Sequence, residues 1–304
     1  MKIAMIGLGD IAKKAYLPVL CTRPDIEIHL CTRNREVLRQ VGDMYRVPCE
    51  RRHDNVLELL DQGLDAAFVH TATDAHVYMV EQLLERNVDV YLDKPIDNYY
   101  ENSEKLVDLA YRRRCVFMVG FNRRYAPLVR DLTTRAKPEI IVMQKHRSQS
   151  PGPVRQVIMD DFIHVVDTLR FLIPGEIDAF QVRHRVDAGQ LLHVVVQLSS
   201  QSCTAIGMMN RVNGMSEEIL EVMGSGSKWK ITDLRETIHY ISGEEHRTKV
   251  GEWTSVGTVR GFQGIVEAFL EAIRHARETG RIERATDALL THELCERMIR
   301  QIEL

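Results

Sequence analysis

No run of apolar residues in this 304-residue chain approaches the roughly 20 that a helical membrane span requires, so a spanning helix is excluded. An excess of one charge is missing too. Lys and Arg number 40 and Asp and Glu 43, a formal balance of −3, which offers no broad attraction for nucleic acid or an anionic membrane surface. Neither is expected as a partner. Paired cysteines are absent: Cys21, Cys31, Cys49, Cys115, Cys203 and Cys295 are scattered, with no C-x-x-C, and read as free buried thiols rather than a disulfide framework. The 12 histidines show no H-x-x-x-H or H-E-x-x-H spacing, so no metal site is expected. The opening MKIAMIGLGDIAKKAY is no secretory leader, because two glycines and Asp10 break its apolar run and no small-residue cleavage site follows. The expected location is the cytoplasm.

What is present is the composition of a globular protein, 44% apolar and 27% charged, at a length that predicts two domains. Through residue 120, short apolar runs alternate with amphipathic stretches. Strands are expected at 2–6, 26–31, 66–71, 88–92 and 116–120, with helical patterns such as HVYMVEQLLER and ENSEKLVDLAYRRR between them. Continuous apolar strands separated by helices predict a doubly wound parallel sheet, an α/β domain over 1–121. The pattern then changes. Strands are expected at 139–146, 177–186, 191–199, 203–212, 217–225 and 236–242, joined mostly by turns, which predicts an α+β domain over 122–304 with a mostly antiparallel sheet. One helix is expected near 160–172 and two close the chain, about 261–279 and 285–303; these last two are free to pack back on the first domain.

The first chemical signal is Gly7, Gly9 and Ala12 directly after a strand and at the start of a helix, a G-x-G-x-x-A turn. The first glycine permits the tight turn, the second lets backbone approach a pyrophosphate, and the third small residue lets helix and strand pack closely. Asp10 and Ile11, between the second glycine and Ala12, lie at the helix N-terminus that would meet the phosphates. A strand–glycine–helix context of this kind predicts a dinucleotide. The second strand ends in Thr32 and Arg33, where an adenosine 2′-hydroxyl would usually meet Asp or Glu. A hydroxyl and a guanidinium suit a 2′-phosphate, which favours NADP(H) over NAD(H).

Two further stretches stand at strand ends on the ligand side of the sheet, HTATDAH (70–76) and LDKPID (92–97). The second sets Asp93, Lys94 and Pro95 in one corner. A desolvated lysine there suits proton transfer from an alcohol, and a solvated turn is the plain alternative. On the helix near 160–172, Phe162, Val165, Val166, Leu169, Leu172 and Ile173 form an apolar stripe, while Asp160, His164, Asp167 and Phe171 fall opposite. Asp160 and His164 are i,i+4 neighbours, a spacing that lets a carboxylate orient an imidazole.

The order of these segments, GLGDIA (7–12), TATDAH (71–76), DKP (93–95), GFNRRYAP (120–127), DDFIHVVD (160–167) and FQGIVEAFLEAIRHARETG near the C-terminus, resembles the Gfo/Idh/MocA oxidoreductases over nearly the whole chain. The resemblance implies a Rossmann domain followed by an open, mostly antiparallel sheet that packs on a partner subunit, hence a homodimer or larger assembly. It implies that Lys94 and His164 flank the substrate carbinol beside the nicotinamide and share proton transfer and positioning, with Asp160 orienting His164. It places Thr71, Ala72, Thr73, His76, Asp93 and Arg123 along the cofactor, and Tyr125 and Asp161 with Lys94 and His164 near the substrate. Asp93 stands where the family usually has Glu, which shortens that arm by one methylene. The expected activity is NADP(H)-dependent hydride transfer to or from a secondary alcohol or ketone of a sugar, cyclitol or related polyol. The alternative is a sensor of the same fold that binds NADP(H) without turnover.

Overall fold

The structure, a computed structural model, describes residues 1–304. The chain divides into two compact units: Met1–Phe121 with Phe262–Leu289, and Asn122–Gly261 with Leu290–Leu304.

The first unit is built on a six-stranded parallel sheet. Its strands are β1 (Lys2–Ile6), β2 (Glu27–Cys31), β3 (Arg52–His53), β4 (Ala66–Val69), β5 (Asp89–Leu92) and β6 (Phe117–Val119), in spatial order β3-β2-β1-β4-β5-β6. Five of the six coincide with the expected apolar runs. The sixth, β3, is two polar residues long and carries no pattern that could have announced it. Ile3, Ala4, Met5, Ala66, Ala67, Phe68 and Val69 are wholly buried, as strands covered on both faces must be. The helix Phe262–Thr279 supplies part of this core: Phe269 meets Phe68 and Tyr91 edge-on, at ring-centroid distances of 5.2 and 5.7 Å.

The second unit carries β7 (Ile140–His146), β8 (Gly152–Pro153), β9 (Ala179–Asp187), β10 (Gln190–Ser199), β11 (Thr204–Asn210), β12 (Glu217–Gly224), β13 (Ser227–Thr232), β14 (Glu236–Ile241) and β15 (Glu244–Lys249). They form one sheet in the order β15-β14-β13-β12-β7-β11-β10-β8, with β9 on β10. All pairs are antiparallel except β7–β11. That parallel pair requires a crossover, and the helical segment 154–172 lies within it. Its residues Val165 and Leu169 press on Gly207 of β11, where a Cβ would stand 2.7 Å from Val165 Cγ1. The expected apolar stripe is buried throughout.

The segment is not one regular helix. An α-helical turn, Val154–Val157, runs into a π-helical turn, Ile158–Phe162, and then into the α-helix Ile163–Leu172. A wheel drawn at 100° per residue fails across that wide turn, and Asp167, expected on a polar face, is buried instead. It is covered by Arg124, which holds it through paired contacts of 2.5 to 3.1 Å, and by Thr291 at 3.2 Å. Arg124 also lies 5.4 Å from the Phe171 ring centroid. All six cysteines are free, but Cys49 is exposed and Cys21 half-buried. No helix is long and apolar enough to cross a membrane, and no cluster of His, Cys, Asp or Glu could hold a metal ion.

Candidate active site

In the first unit, sheet register builds the site. Ile6 pairs with Cys31 and Val69, Val69 with Leu92, and Leu92 with Val119. The next residue of each strand, Gly7, Thr32, His70, Asp93 and Gly120, therefore stands in one row along the carboxyl edge. Backbone bonds continue the ladder there: Gly7 N to Cys31 O at 2.9 Å, His70 N to Ile6 O at 2.7 Å, Asp93 N to Val69 O at 3.0 Å and Gly120 N to Leu92 O at 2.8 Å.

The glycines divide their duties. Gly7 adopts φ +89°, and a Cβ on it would lie 2.5 Å from His70 O and 2.8 Å from Thr71 N. It is closed in by the protein itself. A Cβ on Gly9 would meet nothing within 4 Å. Asp10 turns outward to Lys14 at 2.8 Å, Ile11 is exposed, and Ala12 is fully buried at the helix–strand contact.

Two buried polar atoms at this edge, His70 Nε2 and Thr71 Oγ1, have no partner in the protein. An open glycine beside unsatisfied polar atoms at the carboxyl edge of a doubly wound sheet fits a dinucleotide. Ala72 is exposed and Thr73 half-buried on the short turn Thr73–Ala75 that follows.

His76 is buried and joins two loops. Its Nδ1 lies 2.9 Å from Pro95 O and 3.3 Å from Ile96 O, and its Nε2 3.1 Å from Thr71 O. Burial pulls its pKa below the usual histidine value, against the carbonyls and Asp93 that would raise it. The neutral ring has one N–H, so it donates to one side at a time.

Asp93 Oδ1 accepts the backbone N–H of Lys94 at 2.8 Å, and Oδ2 faces His70 Nδ1 at 3.5 Å. Burial opposes its ionisation, but the bond to His70 and the charge interactions with His70 and Lys94 hold its pKa below the usual carboxylate value. Lys94 is half-buried, and its bond to Pro95 is cis. Behind the row, Tyr16 and Tyr91 share a 2.6 Å hydroxyl contact, and burial drives the Tyr16 phenol far above its ordinary range, with Asp93 adding to the shift.

At the end of β2, Thr32 is half-buried and Arg33 exposed. Asn34 caps the helix Arg35–Met44 by accepting from Val37 N at 3.1 Å. Arg35 is held by Asp54 at 2.5 Å, whereas Arg33 makes no ion pair.

In the second unit, Asp160 and Asp161 lie in the π-turn and His164 is the second residue of the helix Ile163–Leu172. Asp160 and His164 are half-buried, as is Tyr125, whose phenol pKa is raised by burial. Arg123, expected along the cofactor, is buried with its guanidinium on Glu218, at 2.6 and 2.7 Å. Glu218 was invisible in the sequence as a site residue, because it lies 95 positions away.

Burial works against the Glu218 charge, yet Arg123, Lys145 and Arg260 bring its pKa to about 2. A depressed folded-state pKa contributes stability above the unfolded value, near 4.5, that is lost as pH falls toward 2. The loss should be about 3 kcal/mol. Denaturant unfolding of the wild type and Glu218→Gln across that window should show a shallower decline in the variant; parallel declines would refute the assignment.

A parallel sheet of this order, with a glycine turn at its carboxyl edge, defines the class of the protein as dinucleotide-binding. Residues 1–121 match the family described as oxidoreductases with an NAD-binding Rossmann fold, and residues 127–240 match the YceM-like C-terminal domain. The protein YceM of Salmonella typhimurium is 31% identical over 280 residues, 90% of each chain. The inositol 2-dehydrogenase of Rhizobium meliloti is 24% identical, covering 84% of this chain and 83% of its own. A crystal structure of a Gfo/Idh/MocA family oxidoreductase from Vibrio cholerae superposes with TM-score 0.92 at 30% identity, covering 100% of this chain and 98% of that one. The chain belongs to the Gfo/Idh/MocA family of NAD(P)-dependent oxidoreductases. The resemblance read from its motifs is borne out.

Proposed function

We propose that the protein is an NADP(H)-dependent dehydrogenase or reductase that moves hydride between the nicotinamide and a secondary alcohol or ketone of a sugar, cyclitol or related polyol. The observation that carries this reading is the row at the sheet edge: Gly9 with open space before it, unsatisfied His70 Nε2 and Thr71 Oγ1, and Lys94 beside the ionised Asp93. When bound, the nicotinamide supplies the hydride donor or acceptor. The chain's task is to bind, orient and handle one proton. In the oxidation direction the carbinol gives up its hydride and its hydroxyl proton, and Lys94 and His164 manage that proton while Asp160 orients the imidazole. Asp93 anchors the turn that carries Lys94. The names of the inositol dehydrogenase relatives support the polyol class. The test is turnover of a polyol and sugar panel, followed at the reduced-nicotinamide absorbance band. Binding of the cofactor without turnover of any alcohol or ketone would favour the sensor alternative.

The preference for NADP(H) rests on Arg33, exposed and without an ion pair where the adenosine ribose is expected. Charge-assisted contact with a 2′-phosphate should give NADPH about a tenfold or larger advantage in kcat/KM over NADH. Arg33→Ala should remove most of it. Equal constants for both cofactors in the wild type would dispose of the preference. A homodimer or larger assembly and a cytoplasmic location belong to the same proposal, and sedimentation of the purified protein tests the first.

A further inference from the structure

Past the carboxyl ends of the parallel neighbours β7 and β11 stand Arg147 and Arg211. Lys145 precedes Arg147 by two positions, on the same face of the strand. All three converge on the Asp161 carboxylate, three residues before His164. Lys145 Nζ contacts Asp161 Oδ1 and also donates to the Asp161 carbonyl at 3.2 Å. Arg147 donates from Nε and Nη2 at 2.8 and 2.9 Å, and Arg211 from Nη1 at 2.6 Å. Lys145 is nearly inaccessible, with 2% of its side chain exposed, while Arg147 keeps 38%. The Arg147 Nη1 group has no acceptor in the protein.

Arg147 and Arg211 share the Asp161 carboxylate, and Arg123 and Arg260 add positive charge around Arg147. Burial, then Arg123 and Arg211, lower the Arg147 pKa, with Glu218 opposing and Arg260 adding. Glu218 is already engaged by Arg123. A guanidinium fork that keeps part of its surface open beside a half-open approach suits a planar or tetrahedral anion.

We propose that this cluster receives an anionic substituent, carboxylate or phosphate, on the substrate. Resting on the oxidoreductase reading above, this narrows the substrate class to acidic polyols: sugar acids or sugar phosphates in place of neutral cyclitols. Asp161 holds the cations in array, Arg147 is the group that reaches the ligand, and the same segment delivers His164.

The test is calorimetric titration of the NADP(H)-saturated protein with aldonates, uronates and sugar phosphates, each beside its neutral parent. At least one anion should bind about 100-fold tighter than its neutral parent, with affinity falling as salt rises. A preference for carboxylates or for phosphates identifies the source. Arg147→Met should weaken that anion by about 30-fold, with unchanged cofactor affinity reporting an intact fold. Should it fail to fold, Arg147→Lys keeps the charge, loses the fork and should give a smaller loss. Neutral parents binding as tightly as the anions, or anion affinity surviving in both Arg147 variants, overturns the proposal. If neutral polyols turn over while anions are ignored, the oxidoreductase reading stands without this one. If anions bind and nothing turns over, the cationic receptor stands and the activity falls.

Discussion

Alanine at Lys94 should lower kcat/KM by about 10³-fold, and alanine at His164 by a comparable factor, with NADP(H) affinity nearly intact. The expectation follows from the proposed proton-handling roles rather than from packing. Lys94 is half-buried and His164 half-buried, so neither truncation opens a large cavity. The loss should fall chiefly on kcat, because a proton-handling group acts in the transition state more than in the ground state. On the proposed role of Asp160 as the orienting partner of His164, Asp160→Asn should cost less than His164→Ala, because the imidazole remains. Steady-state kinetics on the best polyol, with cofactor Kd measured by fluorescence, separates these effects. Full turnover in both alanine variants would end the assignment of the site.

The second large effect is a contrast between two glycines. Gly7→Ala should destabilise the folded protein by several kcal/mol, because φ +89° is strained for alanine and its Cβ would stand 2.5 Å from His70 O, a backbone atom with no room to yield. Gly9→Ala should leave the melting temperature of the ligand-free protein nearly unchanged, because its Cβ would meet no protein atom within 4 Å. If the pyrophosphate approaches Gly9 as proposed, the same methyl should weaken the NAD(P) cofactor by about 100-fold or more. Thermal melts with and without cofactor read both results. A Gly9→Ala protein that binds NADP(H) normally would move the phosphates elsewhere.

Much of the architecture was legible because burial on two faces writes itself into composition. KIAMI and AAFV read as central strands of a covered sheet and are buried as such, and the glycine turn between β1 and the first helix marks the edge that matters. β13, SKWKIT, escaped although Trp229 and Ile231 alternate as buried residues, while two other missed strands lacked a periodic signature. β3 is Arg52–His53, too short for any pattern, and β15, EEHRTK, is exposed along its whole length, so it has no inward face to alternate. The pairings of Arg123 with Glu218 and Arg124 with Asp167 join residues 95 and 43 positions apart, and nothing local selects one acid over another. The Lys145–Arg147–Arg211 convergence depends on β7 and β11 lying side by side in parallel, which no stretch of sequence announces. The Asp160 and His164 spacing was readable, but the wide turn around Asp160 was not, because five ordinary helix-compatible residues, IMDDF, form it.

The nucleotide half of this molecule is discontinuous in the gene's order. Phe262 packs on Tyr16 at 5.3 Å between ring centroids, and Phe269 closes over Phe68 and Tyr91, so the aromatic layer behind the glycine turn is completed by residues made after position 261. A ribosome releasing the first 121 residues has therefore delivered an unfinished domain. Expressed alone, that fragment should expose its aromatic layer and aggregate, and a peptide or fused segment carrying 262–289 should restore it. The completed cofactor-binding unit thus has to wait for the intervening sheet to be synthesised.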